Sequence, residues 1–319
     1  MAKTKVYIDG SAGTTGLRIN ERFEGRDDIE LIKISDELRK DNAERAKYLN
    51  EADIAFLCLP DDAAREAVSL MDPNNDRTVI IDTSTAHRTN PDWAYGLPEL
   101  SGEFRDKIRG SRRIAVPGCY ASGFIMMLYP MLKMGIIDSD YPVCVSALSG
   151  YSGAGKKAIE LYESDAKTED LYAPRTYALS QMHKHLKEMK IITGLDREPL
   201  FTPVVDDYYS GMIVTFPVYS HLCRNKVTPE ELQKRFADYY ANEKFIHVMP
   251  YGSEAELNSF LSANAMSGRD DAQIYVTGNE DRLLVSARFD NLGKGASGAA
   301  IQCMNIVLGC DEAKGLNIK

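Results

Sequence analysis

The chain has 319 residues, 44% hydrophobic and 27% charged, with a formal net charge of -9. This composition excludes disordered, collagen-like and disulfide-scaffold proteins, and with no basic run longer than two residues it argues against a nucleic-acid-binding surface. A chain longer than the roughly 250 residues at which single cores stop growing predicts two domains.

Short apolar runs at residues 6–8, 30–34, 54–59 and 78–82 alternate with helix-compatible segments. That texture predicts βαβ units around a buried parallel sheet, a doubly wound Rossmann-type α/β domain. After Pro117 the pattern changes. Strand-like runs at 143–148, 201–205, 212–219, 273–277 and 283–289, the last two joined by Gly278-Asn279-Glu280-Asp281, predict antiparallel pairing in an α+β domain with a mixed sheet. Thr228, Pro229 and Glu231 form a capping box that opens a helix running to about residue 242. A second helix begins near Ala154 or Gly155 and carries Ile159, Leu161 and Tyr162, and a third spans 298–308 after Gly293-Lys294-Gly295. The predicted division is a dinucleotide-binding domain of residues 1–117 with 291–319, and a catalytic and oligomerisation domain of 118–290.

No stretch approaches the ~20 apolar residues of a membrane span, and no signal or transit peptide is read at the N-terminus. The cysteines Cys58, Cys119, Cys144, Cys223, Cys303 and Cys310 include no C-x-x-C pair, so neither a zinc ribbon nor a disulfide framework is expected and a cytoplasmic location is.

Gly10, Ser11, Gly13, Thr14, Thr15 and Gly16 lie between the first strand and its helix. Glycines there permit a tight turn and a close approach of backbone N–H groups to a pyrophosphate. The spacing is G-x-x-G-x-x-G instead of G-x-G-x-x-G, so an ordinary glycine turn is the alternative. About 20 residues on, where an acidic residue reads the adenosine ribose, stand Ser35, Asp36 and Glu37, followed by Arg39 and Lys40. Cations there suit a 2′-phosphate and favour NADP over NAD; a solvated helix start is the competing reading. Pro60 and Ser84 follow strands at the ligand-binding end of such a sheet, and both are candidate cofactor contacts.

Pro117-Gly118 delivers Cys119 to the start of the apolar helix that includes residues 124–128. A sulfur over the free N–H groups of a helix start has a lowered thiol pKa, the setting of a nucleophile. The other five cysteines read as small buried hydrophobes. Ser149, Gly150, Ser152, Gly153 and Lys156 form a serine- and glycine-rich loop before a helix, a candidate cradle for a phosphate or oxyanion, with a simple N-cap as the alternative.

Pro117-Gly118-Cys119-Tyr120, Gly96-Leu97-Pro98-Glu99-Leu100 and Gly13-Thr14-Thr15-Gly16 resemble the N-acetyl-gamma-glutamyl-phosphate reductase family in its shorter form. Ser149 to Lys156, His183-Lys184-His185 and Asp290 to Ala296 match it in the same order. The resemblance implies NADPH-dependent reduction of N-acetyl-glutamyl 5-phosphate to its semialdehyde in arginine biosynthesis, by a small-molecule enzyme with no membrane partner. It also implies a homo-oligomer, dimer or tetramer. Val116 stands where the family has Asn, Lys187 replaces a Pro, and Ser297 with Ala299 vary the last motif.

In that chemistry a thiolate expels phosphate from the acyl phosphate and leaves a thioester that accepts hydride. Cys119 is the expected nucleophile. His183 and His185, two apart on what reads as an extended segment, would face one side and handle the proton, His183 the preferred one. A metal pair is the alternative for H-x-H, but no further ligand cluster accompanies it. The last family motif returns to the cofactor, which makes Lys294 a candidate contact. Aspartate-semialdehyde dehydrogenase is the nearest competing enzyme, although its nucleophile usually follows Asn. A cofactor-binding regulatory protein that has lost catalysis is the alternative of another class, and it need not retain Cys119 and both histidines.

Overall fold

In the computed structural model residues 3–318 are described. The chain forms two compact units, the first running to Gly118 and resuming over Ala296–Leu316, the second comprising Cys119–Gly295 and the tail from Asn317. Residues 291–295 thus stay with the second unit, where the sequence reading had returned the chain to the first domain at 291.

The first unit contains β1 (Thr4–Asp9), α1 (Thr14–Phe23), β2 (Ile29–Ile32), α2 (Asn42–Glu51), β3 (Ile54–Leu57), α3 (Asp61–Ser69), β4 (Val79–Asp82), β5 (Ala94–Tyr95), α4 (Gly102–Gly110) and β6 (Arg113–Ala115). Its strands are ordered β2-β1-β3-β4-β6-β5, all parallel. Alternate residues of one strand feed opposite cores: Val6, Phe56 and Ile81 pack on one face, Tyr7, Ala55, Leu57 and Ile80 on the other. Both faces are covered, so these strands read as unbroken apolar runs. The chain leaves β1 to one side for β2 and crosses to the other for β3, which opens a crevice at the carboxyl ends of β1 and β3. Gly10 stands there.

The second unit begins with α5 (Cys119–Lys133), followed by β7 (Cys144–Gly150), α6 (Lys156–Tyr162), β8 (Arg175–Thr176), α7 (Leu186–Thr193), β9 (Leu200–Asp206), β10 (Met212–Tyr219), α8 (Pro229–Tyr239), β11 (Ile246–Val248), β12 (Ala272–Gly278) and β13 (Arg282–Phe289). The mixed sheet runs β11-β12-β13-β10-β7-β9-β8, with only β11–β12 and β7–β9 parallel. Its inner face, with Ala147, Phe201, Val214, Phe216, Val285 and Phe289 buried, lies under α5 and α8. Gly123 allows the close approach of α5: a Cβ there would come within 2.7 Å of Phe289 and Val214 side chains. The Thr228–Glu231 capping box opens α8 as its residues require, and the helix stops three residues before the predicted 242. After β13 the chain forms one π turn at Gly293–Ser297 and then α9 (Gly298–Leu308), whose Ala300, Ile301 and Met304 join the core of the first unit.

Candidate active site

In the first unit the three glycines have separable roles. Gly10 has φ +87°, and a Cβ on it would lie 2.3 Å from the carbonyl oxygen of Cys58; on Gly16 it would lie 2.5 Å from the carbonyl oxygen of Gly10. Turn geometry and helix packing explain these two. A Cβ on Gly13 would meet nothing nearer than 3.4 Å, so the fold itself does not require glycine there. Gly13 caps α1 with no side-chain acceptor and no acidic residue in the first turn. The first-turn N–H groups at Thr14, Thr15 and Gly16 are thereby presented at the positive end of the helix, an arrangement that fits a dinucleotide pyrophosphate. Asp9, at the end of β1, would repel such an anion if left bare. Its buried carboxylate instead accepts two bonds from Arg45, at 3.2 and 3.0 Å, and Arg45 also reaches Glu66 at 2.8 Å.

Asp36 to Lys40 form a turn beyond β2. The Asp36 carboxylate is 94% exposed and pairs with Arg39 at 3.8 Å; Ser35 accepts the Leu38 N–H. Pro60 is the N-cap of α3. Ser84 donates its hydroxyl to the fully buried Asp82 at 2.7 Å, and Asp82 also binds His87 Nδ1 at 2.6 Å. His87, which carried no role in the sequence reading, stacks on Trp93 with ring centroids 4.0 Å apart and fixes the loop that holds Ser84.

In the second unit Cys119 is the first residue of α5. Gly295 packs against it: a Cβ on the glycine would lie 2.9 Å from Cys119 Cβ. The adjacent Tyr120 ring is buried and lies 5.7 Å from His183, 6.0 Å from His185 and 5.3 Å from Phe201. The histidines are not on an extended segment as predicted. Residues 184 and 185 form a turn closed by Leu186 N–H to His183 O, which sets the two imidazoles edge to face at 4.7 Å. The His185 N–H donates to His183 Nδ1 at 3.1 Å, so the neutral His183 ring carries its proton on Nε2, 3.5 Å from the Tyr177 hydroxyl. Burial, with the charge of Lys184, holds His183 down at about 4. Burial also raises the hydroxyls of Tyr120 and Tyr177, which hydrogen-bond to one another.

Tyr120 and Tyr177 were not among the predicted site residues. Tyr120 was legible as the neighbour of Cys119; Tyr177 carries no sequence signal, since it precedes an irregular segment in which Ala178 and Gln181 have φ of 52° and 58°. The Gln181 amide holds that segment by donating to Phe201 O and accepting from Phe201 N.

The serine-glycine loop differs from its expected form. The N–H groups of Gly150, Tyr151 and Ser152 donate to the carbonyls of Gly211, Tyr208 and Tyr209, so they are not offered to a phosphate. Lys156 lies on the exposed side of α6 near Glu160, at 3.9 Å. What remains near the center are side chains: Ser149 is buried, and Ser152 Oγ accepts from Asn291 Nδ2 at 3.1 Å. A Cβ on Gly153 would come within 3.1 Å of Asn291 Nδ2 and 3.3 Å of Ser149 Oγ. Lys294 is fully buried, its ammonium 5.2 Å from the center of the Phe245 ring. No cluster of three potential metal ligands occurs among the described residues, and no helix among them is long and apolar enough to cross a membrane.

Residues 4–109 match the model of the semialdehyde dehydrogenase NAD binding domain, and residues 119–291 that of the semialdehyde dehydrogenase dimerisation domain. N-acetyl-gamma-glutamyl-phosphate reductase 2 of Nostoc sp. is 46% identical over 99% of this chain and 100% of its own length. The reductase of Sinorhizobium medicae is 44% identical over 96% and 99%. Among solved structures, aspartate semialdehyde dehydrogenase II of Vibrio cholerae superposes with a TM-score of 0.71 at 16% identity, covering 97% of this chain and 99% of that one. The Francisella tularensis aspartate semialdehyde dehydrogenase gives 0.72 at 16%, over 96% and 100%. These two likenesses establish the fold.

Proposed function

The chain belongs to the N-acetyl-gamma-glutamyl-phosphate reductase family of semialdehyde dehydrogenases, and on that footing we propose how its residues carry out the reaction. The enzyme reduces N-acetyl-glutamyl 5-phosphate to N-acetyl-glutamate 5-semialdehyde with NADP as cofactor, a step of arginine biosynthesis. The observation that carries the mechanism is the placement of Cys119 at the start of α5, with Gly295 against it and Tyr120 leading to both imidazoles.

Cys119 loses its proton to the histidine pair and attacks the acyl carbon; the carbon–oxygen bond to phosphate breaks, the departing phosphate takes up that proton, and a thioester remains. The nicotinamide cofactor would be held by Gly10 to Gly16, Ser35, Asp36 to Lys40, Pro60 and Ser84, and when bound would supply the hydride. The resulting tetrahedral oxygen collapses to the aldehyde and returns Cys119 as thiolate. His183 is neutral at working pH and is the proton carrier, oriented by the His185 N–H; His185 lines the same pocket. Ser149 and Ser152 are the side chains that would meet the substrate's phosphoryl end, with Gly150 and Gly153 shaping the loop and Lys156 supplying a distant charge.

The enzyme acts as a homo-oligomer through the outer face of the seven-stranded sheet. On that face β7 contributes Cys144, Ser146 and Leu148, in register with Leu200, Thr202 and Val204 of β9 and with Ile213 and Thr215 of β10. Leu148, Leu200 and Leu284 there are 39%, 55% and 44% exposed, a cost that a second copy would remove. The sequence contains no C-x-x-C pair, in keeping with the proposed cytoplasmic setting.

Phosphate-dependent reduction of NADP tests this reading, with N-acetyl-glutamate semialdehyde set against aspartate semialdehyde. Preference for the first supports it; preference for the second would make the chain an aspartate-semialdehyde dehydrogenase.

A further inference from the structure

We propose that Asp270 and the tail residue Asn317 are positioning residues that latch the loop carrying Asn291, Lys294 and Gly295 against the nucleophile. Asp270 is fully buried. Its N–H donates to Asn317 O at 2.8 Å, and its carboxylate accepts the Asn317 N–H at 2.7 Å. Asn317 Nδ2 adds a third bond to Gly268 O at 2.9 Å. Three bonds, one of them backbone to backbone, fix the two short segments to one another.

That pair bears directly on the loop after β13. Gly268 N–H donates to the buried carboxylate of Asp290 at 2.6 Å, and the same carboxylate accepts from Leu292 N–H at 3.0 Å. Gly293 lies against the backbone at residue 269: a Cβ on it would be 1.9 Å from Arg269 O and 3.1 Å from the Asp270 carboxylate. Gly295 N–H then donates to Asp290 O at 3.0 Å and meets Cys119. An error of a few tenths of an ångström at Asp270 therefore reaches the nucleophile, because each contact in the series is already at van der Waals or hydrogen-bond distance. Asn317 is exposed and touches no reacting group, yet it supplies the donor for a carboxylate that would otherwise be buried without that bond.

The inference rests on Cys119 as nucleophile, and the parent enzyme controls for this: alkylating Cys119 must abolish its activity. If it does not, the nucleophile assignment fails and the latch is judged by alkylation rates alone. Asp270→Ala should lower kcat per titrated Cys119 at least tenfold and slow carboxymethylation of Cys119, with the KM for NADPH within twofold. Asp270→Asn keeps an acceptor for the Asn317 N–H and should recover most of the loss. Asn317→Pro removes that N–H at an exposed position, and should reproduce the Ala phenotype even if Asp270→Ala does not fold. A merely structural role predicts a lower Tm and fewer active sites with kcat per site unchanged. Parent-like kcat and alkylation rate in folded Asn317→Pro would overturn the proposal.

Discussion

Gly295 and Cys119 approach so closely that a single methyl on the glycine would stand 2.9 Å from the cysteine Cβ. Neither backbone is free to yield, since Gly295 is bonded to Asp290 O and Cys119 begins a buried helix. Gly295→Ala should therefore cost more than tenfold in kcat with cofactor affinity little changed. Gly102→Ala, where a Cβ meets nothing within 4 Å, is the matched control. Equal activity in the two variants would show that the contact does not govern the reaction.

Cys119→Ala should abolish turnover and spare cofactor binding, because no thioester can form while the glycine turn is untouched. Iodoacetamide should modify Cys119 before the other five cysteines. Cys58 provides a contrast, for burial pushes its thiol up to about 12. Mass spectrometry that finds another cysteine labelled first counts against an activated Cys119, as does a tenth of parental activity in the alanine variant.

The pH dependence of His183 has a definite sign. An unfolded histidine takes up its proton near 6.5, whereas in the folded chain this one waits until about 4. The unfolded state thus binds more protons between these values, and His183 withdraws stability as pH falls from about 6.5 to 4. His183→Asn should flatten that part of the Tm profile. It should also lower turnover by ~10² to 10⁴-fold if the imidazole carries the proton. An NMR titration of His183 centered near 6.5 would rule out the buried neutral form, and a larger loss in His185→Asn would transfer the role to that residue.

The center of the parallel sheet was legible because β3 and β4 are buried throughout and β1 over its second half, so that they read as apolar runs bounded by turns, whereas the two-residue β5 carries no such run. The helix at 298–308 was legible to the residue, since glycines mark its start and Gly309, at φ +65°, marks its end. The site was half legible. Residue types announced Cys119 and the histidines, but the geometry of the pair depends on a turn closed by Leu186, and Tyr177 reaches His183 only because Gln181 pairs with Phe201 far along the chain. The serine-glycine loop misled for the same reason: its N–H groups are claimed by carbonyls some 60 residues away in sequence, at Tyr208 to Gly211. Local sequence can nominate donors, and only tertiary contacts decide whether they are spent.

The outer sheet face gives a separate prediction. Leu148→Arg places a charge amid Val204 and Ile213, its register partners, where a second copy would have to bury it. Sedimentation should show the parent as an oligomer and the variant shifted toward monomer, with Tm concentration-dependent only in the parent. An unchanged assembly would place the interface elsewhere.

In the proposed function, cofactor choice would turn on the two cations after β2. A 2′-phosphate carries close to two negative charges, and a charged hydrogen bond to it contributes ~1.5 to 3 kcal/mol, whereas NAD offers a hydroxyl at that point. Asp36 opposes the phosphate in principle, but its carboxylate faces solvent and is matched to Arg39 at 3.8 Å. An exposed pair of this kind is worth little, so Arg39, itself 51% exposed, can turn from Asp36 to an incoming phosphate at small cost. Arg39→Ala/Lys40→Ala should therefore raise the KM for NADPH more than tenfold, the equivalent of ~1.4 kcal/mol, and leave that for NADH nearly unchanged. Equal losses for the two cofactors, or none, would assign these cations to a solvated turn and move 2′-phosphate recognition to Ser11 and Thr14 at the start of α1.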